Sequence, residues 1–292
     1  YTNNKNKQRC KKFFEESKKI KKSKEVVLDT ETTGLSNDAQ IVSIGWAFSV
    51  KKDYAEQTKG NVEVYSGGFT VRPDMKRIEE QDQDELMGAL QINGLKLEDL
   101  PKGEIPYHKV SRTLISRVER QMIRAGLFPT KMNIRFLAYN RGFDFNKIAM
   151  LPGAGEIILR MPALIYEDND CEKYVQHNER ANVARHFDCL CESRPGCIML
   201  HHSEWKEGKG WGNRWAKLVN AFNTHFGELK ELTFHWVKEG CENNPTQSKK
   251  LDRMTSVELQ VNAHDAEFDC LMAEIVNYHL KVLRDSRQTR LA

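Results

Sequence analysis

No run of apolar residues in the 292-residue chain approaches the roughly 20 that a bilayer-spanning helix needs, which excludes an ordinary helical membrane protein. No apolar segment follows the N-terminal charges, so no retained signal peptide is expected. Cysteine is sparse: seven residues (Cys10, Cys171, Cys189, Cys191, Cys197, Cys241 and Cys270), an odd number without the density of secreted scaffolds. That predicts reduced thiols and an intracellular setting. Phosphate-cradling glycine loops, a nucleophile elbow and a Ser/His/Asp arrangement are all missing, and there is no internal repeat or low-complexity tract.

What is present is a chain 39% hydrophobic and 29% charged, long enough to bury a core without staples. Its net charge of +4 is unevenly placed: residues 1–25 hold ten Lys/Arg against three acids, leaving 35 bases against 38 acids in the rest. A basic leader on a slightly acidic body suits attraction to a polyanion, although a solvated amphipathic helix has the same composition.

Periodicity predicts strands at 26–30, 41–50 and 62–71, joined by short links as an antiparallel meander. A helix is expected over 108–126, stopped by Gly126 and Pro129. A fourth strand at 134–139 runs into a helix over 143–151, and further helices are expected at 213–226 and 265–283. The polar stretch 79–85 and the segment 91–100 are read as a connection, and 152–212 as a region of irregular composition. These elements make an α/β domain with a mixed sheet flanked by helices.

The informative residues are acids where strands end or helices begin. Asp29 and Glu31 are two apart near the end of the first strand, so their side chains share a face about 6–7 Å apart. Two like charges at 4 Å repel by about 4 kcal/mol at an effective dielectric near 20, and a hard divalent cation turns that repulsion into attraction. Asp144 opens the helix after the fourth strand, where a helix cap is the ordinary role. In His264-Asp265-Ala-Glu-Phe-Asp269, five helical residues turn through about 500°, so His264 and Asp269 cannot share a helical face. With His264 in the preceding loop and Asp269 in the first two turns, both project toward the helix N-terminal end.

Three segments together resemble the DEDDh group of 3′–5′ exonucleases, the DnaQ-like family with a ribonuclease H-like fold. They are Val27-Leu-Asp29-Thr-Glu31-Thr-Thr-Gly34-Leu35, Ala138-Tyr-Asn140-Arg-Gly-Phe143-Asp144 and Asn262-Ala-His264-Asp265-Ala-Glu-Phe-Asp269. A weaker similarity covers His186 to Leu190. The resemblance implies a five-stranded mixed sheet in a domain over 25–285, with an insertion at about 152–212 before the last helix, a basic extension at 1–24 and a tail at 286–292.

It further implies that Asp29, Glu31, Asp144 and Asp269 hold two Mg²⁺ or Mn²⁺ ions and that His264 acts as general base. The activity implied is release of nucleoside 5′-monophosphates from the 3′ end of single-stranded DNA or RNA, with DNA favoured by the form of the first motif. An exoribonuclease trimming RNA 3′ ends, or an inactive binding module on the same fold, is the alternative. A polymerase or another nucleic-acid-processing protein is a possible partner.

Thr32 and Gly34 offer contacts to the terminal nucleotide. Leu35 and Phe143 are candidates to pack on its base, with Phe143 read first as core. Asn93, Tyr139 and Asn140 complete the implied substrate contacts. Here the chain departs from the pattern, with Asn93-Gly94 in place of His-Gly and Tyr139 in place of His.

Two other groupings bear on function. Cys189, Cys191, Cys197, His201 and His202 do not have a standard zinc spacing and are read as core cysteines, with structural zinc as the alternative. Trp205, Lys206, Lys209, Trp211, Arg214 and Trp215 interleave bases with aromatics, as a surface that stacks on single-stranded bases would. Trp215 is read first as core.

Overall fold

The computed structural model describes residues 24–52, 61–127, 134–158, 160, 197–199, 202, 217–229, 232–241, 249–251 and 264–291. The expectations for the 1–23 extension, most of the 152–212 insertion, the 186–190 strand and the tryptophans at 205, 211 and 215 lie outside them.

The meander forms as expected, with longer strands: β1 (Lys24–Thr32), β2 (Ile41–Lys52) and β3 (Asn61–Arg72) pair antiparallel in sequence order. The two-residue β4 (Ile105–Pro106) lies beside the end of β3, and β5 (Ile134–Ala138) runs parallel to β1 on its other side. Two further strands were not legible as elements: β6 (Thr233–Lys238), parallel to β3, and β7 (Lys249–Leu251), antiparallel to β6. The order is therefore β5-β1-β2-β3-β6-β7. This is the mixed, helix-flanked sheet expected of a ribonuclease H-like domain; among the described residues six strands follow in this order, with β4 a seventh beside β3, where five were expected.

Among the described residues the α-helices are α1 (Met75–Glu79), α2 (Gln83–Ile92), α3 (Val110–Arg124), α4 (Arg141–Ala149), α5 (Gly155–Ile158), α6 (Leu218–Glu228) and α7 (Ala266–Leu291). The acidic connection at 79–85 is in fact the junction of α1 and α2. Asp74 and Asp82 start these helices by accepting from the backbone N–H of Lys76 and Glu85.

Strand alternation divides the core. Val26, Leu28, Trp46 and Phe48 face α3 and α4, while Val27, Ala47, Val62 and Val64 face α6 and α7. Helix α7 is buried at every position from Cys270 to Asn277. It lies against β1, β2 and β3 with α6 packed on it, which is why it lacks a polar stripe in that stretch.

Buried polar groups tie the layers together. The Trp46 indole donates to Gln121 Oε1 at 2.8 Å, and Gln121 Nε2 donates to the Ser66 carbonyl at 2.8 Å. Gln121→Leu leaves the buried Trp46 indole without its acceptor, while the Ser66 carbonyl keeps the Glu239 N–H at 2.7 Å. A loss of about 1–3 kcal/mol is expected in urea unfolding, and a loss below ~0.5 kcal/mol would contradict this role.

Candidate active site

Because β1 extends to Thr32, both Asp29 and Glu31 lie inside it, on the face that meets α7. Helix α7 begins over them. Asp265 caps it by accepting from the N–H groups of Glu267 (3.0 Å) and Phe268 (3.4 Å). His264 stands just outside, at φ 76°, the one non-glycine residue with positive φ among those described. A backbone in this region costs on the order of 1 kcal/mol. The Asp269 carboxylate, in the first turn, accepts the His264 N–H. Glu31, His264 and Asp269 thereby bring one ligand atom each within 4.8 Å of one another.

Asp144 arrives from the other side of β1. Strand β5 ends at Ala138, opposite Leu28, so nothing in β5 continues the ladder to the Thr30 N–H. Asp144 Oδ1 takes that place, accepting from the Thr30 N–H (3.0 Å) and the Thr30 hydroxyl (2.9 Å). Helix α4 begins at Arg141, so Asp144 lies inside its first turn and does not act as its cap.

The electrostatics show the crowding. Burial, then the charges of Asp144, Asp269, Glu31 and Asp265, hold the Asp29 carboxyl well above its usual range. Glu31 is pushed up to about 9 by burial and by Asp269, Asp144 and Asp265. Burial raises Asp144 to about 7 against the two Thr30 hydrogen bonds, and raises Asp269 to about 7 against the His264 N–H. Asp269 Oδ1 is buried with no hydrogen-bond partner.

Glycines that sequence reasoning passed over allow this convergence. Asp29, Gly45 and Gly68 lie in register across β1, β2 and β3. A Cβ on Gly45 would sit 2.2 Å from the Ala266 carbonyl oxygen and 2.6 Å from the Glu267 nitrogen. The bare strand thus lets the start of α7 rest directly on the sheet. Glu267 fixes it there, accepting from the Ser66 hydroxyl at 2.7 Å and pairing with Lys238 at 3.1 Å. The signal was a glycine inside each of two adjacent strands, which marks a close backbone approach.

The loop after β1 is held from several sides. Glu85 accepts from the N–H groups of Leu35 and Ser36 (2.7 Å for Ser36), and Lys147 donates to the Ser36 carbonyl. Thr33 and Gln81 exchange two hydrogen bonds at 2.7 Å. Asn93 Nδ2 donates to the Thr32 carbonyl (3.0 Å), and the Thr32 hydroxyl to the Gly34 carbonyl (2.7 Å). Leu35 projects from this braced loop, 81% exposed.

Of the other expected contacts, Tyr139 is buried in the core beside α7, and its carbonyl accepts from Met199 and Cys197. Asn140 caps α4 through its carbonyl, without a side-chain hydrogen bond. The reading of Phe143 as core is corrected: Phe145 is the fully buried residue, and Phe143 is half-buried with the Lys147 ammonium 5.7 Å above its ring.

Of the Cys/His grouping only Cys197 and His202 are described, and each has contacts of its own. Cys197 contacts the Tyr139 carbonyl. His202 Nδ1 lies 2.8 Å from His225 Nε2, and His225 Nδ1 lies 2.8 Å from His279 Nδ1. His225 offers one ring nitrogen to each neighbour, so the three imidazoles form a chain with no common centre. Burial and its two neighbours push His225 down to about 3, keeping it neutral.

An all-oxygen set of crowded carboxylates, one with an orphaned buried oxygen, fits hard divalent cations and not a soft metal. No protein-family model matches the chain, and no curated protein matches it. Among solved structures it is similar to the RNase domain of the yeast Pop2 protein, seen by X-ray. The identity is 14%, with 94% of this chain and 82% of that one covered and a TM-score of 0.44. A likeness at that level says nothing about activity.

Gly45→Ala should lift the start of α7 and cost about 1–3 kcal/mol through overpacking, read as a lower Tm together with weakened Mn²⁺ binding. Unchanged Mn²⁺ affinity would contradict the role given to this contact. The raised carboxyls also set a pH dependence. The folded chain binds extra protons between about pH 4.5 and 9, so their contribution to stability is full at the acid end and lost as pH rises through 7 to 9. The buried histidines act oppositely and only below about pH 6.5. Metal-free protein should therefore lose Tm from pH 6.5 to 9, and millimolar Mn²⁺ should restore more of it at pH 9 than at 6.5. A flat metal-free Tm would contradict the crowding.

Proposed function

We propose that the chain is a metal-dependent 3′–5′ exonuclease acting on single-stranded nucleic acid, with DNA as the first strand to test. The observation that carries this reading is the gathering of Asp29, Glu31, Asp144 and Asp269 from three elements beside the His264 imidazole. Nothing in packing alone favours pressing four acids together, and their residue types are those that the exonuclease resemblance assigns to two divalent ions. Bound there, such ions would stabilise charge on the attacking and leaving oxygens of an in-line phosphoryl displacement.

The chain's own groups supply the rest. The four carboxylates provide the anionic oxygens, while Thr30 and the His264 N–H orient Asp144 and Asp269. His264 is exposed beside Glu31, where its ring can take a proton from an attacking water and pass it to solvent. The braced loop presents Leu35 as an apolar surface for the terminal base, and Phe143 lies partly open on α4. The product is a nucleoside 5′-monophosphate.

The test is degradation of labelled single-stranded DNA and RNA with Mn²⁺. A ladder shortening from the 3′ end is expected; no product on either strand would leave only a binding module. His264→Ala should lower turnover by about 10²-fold or more, and Asp29→Asn should reduce it to background. Asp29→Asn also removes one of the crowded charges, so its metal-free Tm should equal or exceed that of the parent at pH 8. Parental turnover in either variant would overturn the mechanism.

A further inference from the structure

The charge on α3 is not used by the site described above. The helix carries Lys109 at its cap and Arg112, Arg117, Arg120 and Arg124 within it, against one acid, Glu119. Its inward face (Val110, Leu114, Val118, Met122) is buried, and Lys109, Arg112, Ser116, Arg120 and Arg124 are exposed at three-to-four spacing along one stripe.

The acids that could neutralise this stripe are already engaged. Arg117, turned inward over the Phe69 ring, pairs with Glu104 and Glu239, and Arg160 takes Glu119 at 2.7 Å. Among the described residues no carboxylate pairs with Lys109, Arg112 or Arg120; Arg120 reaches only the Ser116 hydroxyl, at 3.5 Å. Elsewhere on the described surface the signs mix: the 96–102 segment pairs its own lysines and acids, and α2 is acidic in its first turn.

Helix α3 meets the turn that follows α4: the Ser111 hydroxyl donates to the Pro152 carbonyl at 2.9 Å, while Asp144 lies in the first turn of α4. From that turn α3 leads away for about 22 Å, against one phosphate per ~3.4 Å along a duplex strand. Three of its four outward bases are arginines, whose planar fork suits phosphate oxygens.

We infer that the outward face of α3, through Lys109, Arg112 and Arg120, is a phosphate track for the nucleic-acid strand upstream of its 3′ end. This rests on the exonuclease reading for its substrate class. The measurement is binding of a long fluorescent single strand to the full chain across a salt series, beside hydrolysis of the p-nitrophenyl ester of thymidine 5′-phosphate, which is too short to reach α3. For the double variant Arg112→Gln, Arg120→Gln, Kd for the long strand should rise roughly tenfold at about 0.1 M salt. The slope of log K against log salt should fall by about 1.4, at ~0.7 per phosphate, with ester hydrolysis unchanged. The double Arg→Lys variant should keep most of the affinity, since it keeps the charge.

Unchanged Kd and slope in the Gln variant would overturn the track. So would loss of heparin binding with strand binding intact, which would assign the face to another polyanion. Strand binding that depends on these arginines, in a parent chain that cleaves neither strand nor ester, would support the track while removing the exonuclease reading.

Discussion

Repulsion among Asp29, Glu31, Asp144 and Asp269 is the constraint around which this end of the molecule is organised. Left to themselves the four side chains would separate or turn to solvent. Each is held instead by a group that has little freedom to move. Asp29 and Glu31 are fixed by the β1 ladder, Asp144 by a backbone N–H that β5 leaves unpaired, and Asp269 by a helix pressed onto bare glycine. Burial first, and the neighbouring charges after it, raise the affinity of these carboxyls for protons. Holding the four acids together is costly to the empty protein, and a bound cation would relieve that cost.

The anchoring partners are ordinary structural devices used at one spot. Glu267 joins α7 to β3 through Ser66, and Ser66 is also reached by the Trp236 indole and, through its carbonyl, by Gln121. A single buried serine thus couples the helix carrying Asp269 to both faces of the sheet. On the far side, Gln81, Glu85, Asn93 and Lys147 fix the loop from which Leu35 projects. Strands supply position, and the capped helix start supplies the angle at which His264 leaves the chain.

Much of this was legible in the sequence. The meander, the strand–helix unit around Asp144 and the last helix follow from hydrophobic period and turn residues, and local pattern is strong where the chain stays in one element. The placing of His264 outside the helix and Asp269 within it follows from 100° per residue. The role of Asn93 as a brace for Thr32 was not legible, because it depends on a partner 61 residues away. The same holds for Gly45, whose meaning lies in a backbone more than 200 positions further on. Strand β6, no shorter than β5, carries strand character only in the alternation of Phe234 and Trp236 with polar neighbours, and α1 and α2 are hidden by an acidic surface whose two aspartates are caps. Phe143 and Phe145 could not be told apart because both sit in an apolar strand–helix junction, and only packing chooses between neighbours of one type.

The enclosure of α7 has a consequence for how the molecule fails. Its amides from Cys270 to Asn277 lie between the sheet and α6 with no solvent-facing side, so they can exchange with solvent only when the cooperative unit opens as a whole. Asp269 belongs to that same unit. Heating should therefore not strip away competence gradually ahead of melting, and the two losses should trace a single cooperative curve.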